Sequence, residues 1–185
     1  MSEVLYTVLV ALVGVERLAE LVVAKRNLAW SLDRGGRESG FGHYPFMVVL
    51  HTGLLVGCVV EVWTADRDFV PALGWAMLVL LVASQALRWW CIRTLGHQWN
   101  TRIVIVPGLT PVTGGPYRLF PHPNYVAVVV EGFALPLVHS AWITAIVFTV
   151  LNAGLLTVRI RAENRALQEL AHLSLIHISE PTRPY

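Results

Sequence analysis

The sequence predicts an all-α integral membrane protein of about five transmembrane helices. Three observations carry that prediction. Of the 185 residues, 55% are hydrophobic and only 14% charged, where a soluble domain carries roughly 25% charged residues. With a mean hydropathy of +0.58, most of the surface cannot face water. Apolar runs approaching the roughly 20 residues that a bilayer core demands recur along the chain. Lys and Arg also concentrate in alternate connections, which is the charge asymmetry of a membrane protein with a fixed orientation.

The first span is expected over Val4–Ala24. It is read as a retained span rather than a leader, because no Lys or Arg precedes it and no small-residue cleavage site follows it. Its second half holds Glu16, Arg17 and Glu20 on neighbouring turns. Such a face avoids lipid, and it is read as structural, a partner for Arg88 or Arg17 itself. Lys25 and Arg26 close the span. A polar loop with a Gly-rich centre leads to Pro45, a residue suited to a first helical turn. The second span, Pro45–Trp63, contains His51 and Glu61, and Trp63 serves as an interfacial anchor. The third, Ala72 to about Ile92, ends in Ser84, Gln85, Arg88, Trp89 and Trp90.

Residues Thr94–Pro123 form the longest polar stretch, punctuated by Pro107-Gly108, Gly114-Gly115-Pro116, Pro121 and Pro123. Those breakers argue for turns, and so long a connection suggests function. Asn124–Val138 and Ala141–Val158 then read as a helical hairpin interrupted near Pro136, followed by a polar helix to about His172. Leu173–Tyr185 does not continue the pattern and reads as a non-native tail. Five spans place the basic residues of loop one, loop three and the segment after span five on one side. The positive-inside rule makes that side cytoplasmic and leaves the N-terminus outside.

Cys58 and Cys91 fall in apolar stretches toward opposite faces, so neither a disulfide nor a metal site is expected from them. No two histidines share the spacing of HxxxH or HExxH, so no metal is expected. The net charge of +2 and the lack of a long basic run argue against nucleic acid.

The dense polar chemistry lies on the inferred cytoplasmic side. It comprises His97, Gln98, Trp99, Asn100 and Arg102, then Tyr117 and Arg118, then His122, Asn124 and Tyr125, and finally Arg159, Arg161, Glu163 and Asn164 after the hairpin. Because a hairpin returns the chain to the face it left, the Arg159–Asn164 group should lie near His122 and Tyr125. Glu131, seven residues into an apolar run, needs a partner or a polar cavity. The same argument applies more weakly to His51 and Glu61.

Gly115-Pro116-Tyr117-Arg118-Leu119-Phe120-Pro121-His122-Pro123-Asn124-Tyr125, with Glu131 beyond it, resembles the signature of the isoprenylcysteine carboxyl methyltransferase family. Arg159-Ile160-Arg161-Ala162-Glu163-Asn164 is similar to that family's second block, and Leu95–Trp99 adds to the match. The resemblance implies a single membrane methyltransferase domain over residues 1–172, with variable spans over 1–93 and a family-like core over 94–172. It implies S-adenosylmethionine bound on the cytosolic side by loop and C-terminal helix, without a Rossmann unit, and a lipophilic acceptor entering from the bilayer. It assigns cofactor binding to Gln98, Tyr117, Arg118, His122, Asn124, Tyr125, Glu131 and Glu163, and catalytic roles to Arg159, Glu163 and His122. Pro121 stands where the family usually carries Arg, and Asn164 where it usually carries a second acid. Glu16-Arg17, Lys25-Arg26-Asn27, His43-Tyr44-Pro45 and His51 look more like bacterial members, some of which methylate phenolic lipids. The acceptor is thus expected to be a phenolic lipid or an isoprenylcysteine-type carboxylate. The rival readings are a membrane lipid double-bond reductase using NADPH, which would need more spans, and a non-enzymatic transporter or subunit, which would leave the polar cluster unexplained.

Overall fold

The computed structural model describes residues 1–39, 42, 44–110 and 112–179. Five helices make the fold: α1 (Glu3–Leu32), α2 (Tyr44–Thr64), α3 (Pro71–Leu95), α4 (Pro123–Leu137) and α5 (Trp142–Ser179). Two three-residue strands, β1 (Arg37–Ser39) and β2 (Ile103–Ile105), pair antiparallel with Glu38 opposite Val104. The reading of Pro45 holds, and Pro71 and Pro123, expected as the last residues of their loops, instead open the next helices, where the missing N–H leaves no bond unmade.

By length and composition, α2, α3 and the Trp142–Ala166 part of α5 are apolar enough to cross a membrane. The other two helices are atypical for stated reasons. In α1 the mid-helix charges Glu16, Arg17 and Glu20 turn inward to partners. At 15 residues, α4 is about 22 Å long, and its hairpin with α5 is sheathed by protein, since residues 134–141 are nearly all buried. Pro136 stops α4, and the chain reverses through Ser140 at φ 58°.

Two boundaries and one pairing differ from expectation. α1 runs on through Lys25 and Arg26 to Leu32, because nothing breaks the helix before Gly35 and Asn27 gains partners in the third connection. Its amide donates to the Gly96 and Trp99 carbonyls at 3.1 and 2.7 Å. α5 continues past His172 to Ser179; no Gly or Pro interrupts that stretch, so Leu173–Ser179 extends the helix instead of leaving it. Glu180–Tyr185 and His43 lie outside the described residues. The β1–β2 pair was not expected at all, and it joins the first and third connections at one end of the bundle, with Arg102 bonded to Glu38 at 3.0 Å.

Tyr6, Val10, Leu54, Cys58, Val62, Leu81, Leu135, Val138 and Phe148 form the main apolar core, toward the hairpin end. Cys58 and Cys91 are both free and buried. Glu61 has a structural task here. Its carboxylate accepts from the Ile143 and Thr144 N–H groups at 3.1 and 2.7 Å and from Thr144 Oγ1 at 2.8 Å, while Arg67 pairs with it at 2.8 Å. A side chain of α2 thereby caps the first turn of α5 and satisfies N–H groups that a helix start leaves unpaired.

Close approach of α4 to α5 depends on Gly132, where an added Cβ would lie 1.9 Å from Phe148 Cε1. Gly132→Ala is expected to destabilise the protein by about 1–3 kcal/mol through overpacking, read as a lower thermal midpoint in detergent. Gly53→Ala, with nothing within 4 Å of its Cβ position, should leave the midpoint near wild type.

Candidate active site

At the middle of the bundle, four charged side chains from three helices neutralise one another. Arg17 donates to Glu20 Oε2 at 2.7 Å, to Glu131 Oε2 at 2.6 Å and to Gln85 Oε1 at 3.1 Å. Arg88 donates to Glu131, and its Nε lies 3.5 Å from Glu20 Oε1. Trp89 Nε1 donates to Glu16 at 2.5 Å. The acidic face of α1 is therefore structural and partnered by Arg88 and Arg17, as its pattern suggested. Glu131 is only 3% exposed, and its carboxylate is occupied by the two arginines. Removing one member of such a group leaves a buried charge unpaired, at about 3–5 kcal/mol.

Between that quartet and the loop end lie two cavities. The first, of about 160 Å³, is polar and walled by the third connection, β2, the His122–Tyr125 turn and α5. Its chemistry centres on a relay of side chains. Arg159 Nε donates to Tyr125 Oη at 2.9 Å, and Tyr125 donates onward to Glu163 Oε2. His122 Nδ1 stands 3.9 Å from the same carboxylate oxygen and stacks on Tyr125 at 5.3 Å. Arg159 is itself held from two further sides, donating to the Thr101 carbonyl at 2.7 Å and to Met47 Sδ at 3.0 Å. The hairpin thus brings the α5 block against the His122–Tyr125 turn, as the topology required. The preceding Gly115–Arg118 turn packs on α3: Gly115, at φ 56°, sits so close that an added Cβ would meet Thr94 Oγ1 at 2.6 Å.

Of the residues the sequence singled out, Gln98, Tyr117, His122, Asn124, Tyr125, Arg159 and Glu163 all line this polar cavity. Burial pushes the Tyr117 phenol up from its ordinary range, so it is a neutral hydroxyl wherever the protein works. Arg118 is exposed and Glu131 sits in the quartet, and neither lines the cavity. Arg102 and Arg159 are on its wall together with Pro121, so a guanidinium is present although Pro replaces the usual Arg.

The second cavity, of about 220 Å³, is mostly apolar and lies deeper in the bundle, between α1, α2, α4 and α5. Leu18, Leu21, Val48, Leu55, Leu155 and Leu156 supply its surface, with Arg17, Glu20 and Arg88 of the quartet at one side. The two cavities share Trp99, Asn100, Asn124, Tyr125 and Arg159. Three polar atoms on that common wall, Trp99 Nε1, Asn100 Nδ2 and Asn124 Oδ1, are buried without a hydrogen-bond partner. Buried polar atoms are ordinarily satisfied, so this wall is prepared for a polar ligand. Trp99, Asn100 and the apolar residues of the second cavity were not assigned roles from sequence. Trp99 and Asn100 lay within the polar cluster and His51 was noted in its apolar run, but the leucines and valines of α1 and α2 carried only a helical apolar pattern.

A membrane-embedded helical bundle with a polar cavity at one end and an apolar one beside it is the layout of an enzyme acting on a lipid at the membrane boundary. The sequence profile of the isoprenylcysteine carboxyl methyltransferase family matches residues 77–169. An uncharacterized protein of Bacillus subtilis (strain 168), YpbQ, is 37% identical over 166 residues, covering 89% of this chain and 98% of that relative. No solved structure matches the chain. The chain belongs to the isoprenylcysteine carboxyl methyltransferase family and is an integral membrane methyltransferase.

Glu131→Gln is expected to lower stability by about 3 kcal/mol by leaving Arg17 and Arg88 sharing one carboxylate. The check is thermal unfolding in detergent. Ligand affinity of the folded fraction should stay within about twofold of wild type, because the side chain does not reach either cavity.

Proposed function

We propose that this methyltransferase takes its methyl group from S-adenosylmethionine and delivers it to an oxygen of a lipophilic acceptor. The observation that supports this most is the shared wall: one cavity is polar and faces the loop end, the other is apolar and lies within the bundle, and Tyr125 and Arg159 border both. The residues present suit the cofactor. Glu163 offers a carboxylate for its ammonium or ribose hydroxyls, Gln98, Asn100 and Asn124 offer amide donors and acceptors, and His122 with Tyr125 offers a stacked aromatic surface. In this reading the loop end faces the cytoplasm of a bacterial plasma membrane with the N-terminus outside, which the basic residues of the connections support, and residues 1–172 act as one domain.

When bound, S-adenosylmethionine supplies an electrophilic methyl on a sulfonium. The protein's task would be to hold the acceptor oxygen against the donor in one fixed orientation. Arg159, fixed by three partners, is placed to hold the acceptor oxygen's negative charge at the shared wall. For a phenol, Glu163 or His122 would take the hydroxyl proton. A carboxylate acceptor needs no base. The apolar lining excludes water from the transfer.

Two outcomes test the reading. Calorimetry on detergent-purified protein should show saturable S-adenosylmethionine binding, weakened at least about tenfold in Glu163→Gln and His122→Ala, the size expected for losing a charge-assisted contact. Tyr125→Phe, which disconnects Arg159 from Glu163, should cut turnover about 100-fold with a much smaller change in cofactor affinity. Absence of binding by folded wild-type protein would overturn the cofactor assignment.

A further inference from the structure

The apolar cavity is not uniformly apolar. His51 of α2 and Asn152 of α5 line it well away from the Tyr125–Arg159 wall. The antiparallel packing of α2 on α5 sets them level: Gly57 lies beside Thr144, His51 meets the Phe148 ring edge-on at 5.4 Å, and Met47 reaches Arg159. Asn152 follows Phe148 by one helical turn on the same face.

Both side chains carry polar atoms without partners among the described residues. His51 Nδ1 is 2.8 Å from the Met47 carbonyl oxygen. A carbonyl only accepts, so Nδ1 holds the ring proton and Nε2 of the neutral ring keeps its lone pair. Nε2 has no partner among the described residues. Asn152 is 3% exposed, and its Oδ1 is buried without a partner. Polar side chains inside membrane bundles normally bond across helices, so a neighbouring pair that does not, at the edge of a cavity, calls for a group from outside the protein. An imidazole acceptor beside an amide that can both accept and donate suits a hydroxyl, which donates and accepts at one atom.

We propose that His51 and Asn152 form a specificity subsite that binds a hydroxyl of the lipid acceptor. This rests on the reading that the apolar cavity holds the acceptor. The subsite lies one to two helical turns, roughly 6–10 Å, deeper than Arg159, counted from Met47 to His51 on α2 and from Asn152 to Arg159 on α5. The hydroxyl is therefore a second polar group, distinct from the oxygen that is methylated. The acceptor this selects has a polyhydroxylated head entering the cavity, not a plain hydrocarbon chain behind a single polar end.

The test uses binding of two probes to the full chain in detergent, without cofactor: a long-chain alkyl dihydroxybenzene and the alkylphenol of the same chain length. Wild type should bind the diol about tenfold tighter, the size expected for one or two added hydrogen bonds. His51→Phe and Asn152→Leu should each erode that preference to about threefold or less while leaving alkylphenol affinity little changed. Equal wild-type affinity for the two probes would overturn the subsite, as would a preference that survives both substitutions. S-adenosylmethionine titration of the same samples reads the cofactor assignment separately, so failure of one is not mistaken for failure of the other.

Discussion

Glu131 accepts from both Arg17 and Arg88, and Glu20 closes the group from the same helix as Arg17. Four charges summing to zero can be buried among apolar helices; any three cannot. This neutrality fixes which faces of α1, α3 and α4 meet. Because α4 is packed as a hairpin with α5, it also fixes where α5 delivers Arg159 and Glu163. The first span is thus mechanically tied to the part of the chain that matches the family, and Arg17, Glu20 and Arg88 double as one side of the apolar cavity.

The second constraint is the placement of a single tyrosine. Tyr125 sits in the first turn of α4 and bridges a cation and an anion, Arg159 and Glu163, that lie four residues apart on α5. A hydroxyl that accepts from one and donates to the other holds both in register without consuming the carboxylate, which keeps a free face toward the polar cavity. Arg159 then lies on the wall shared by the polar cavity and the apolar one. Under the proposed function, that wall stands between the methyl donor and the lipophilic acceptor.

Much of this was legible in the sequence. Hydropathy and basic-residue placement indicated the helices, and the hairpin implied that Arg159 and Glu163 return to His122 and Tyr125. Family resemblance pointed to the residues of the polar cavity. Glu131 shows the limit: a carboxylate in an apolar run announces that it needs a partner, but not whether that partner is a ligand or an arginine 114 residues away. Glu61 shows it again, since capping another helix's N-terminus leaves no local pattern. The β1–β2 pair was hidden because two three-residue strands in separate connections have too little alternation to register. His51 and Asn152 were illegible as a pair, since only the register of α2 against α5 makes them neighbours.

The most direct measurement is transfer of a radiolabelled methyl group from S-adenosylmethionine into an organic-extractable product, with purified protein and a long-chain phenol or a prenylcysteine analogue as acceptor. The account predicts label in the lipid product with wild type and a loss of about 100-fold or more in Arg159→Gln, whose side chain can no longer hold charge at the shared wall. Label that never enters a lipophilic acceptor, or transfer that is indifferent to Arg159, would contradict the two-chamber arrangement on which the account stands.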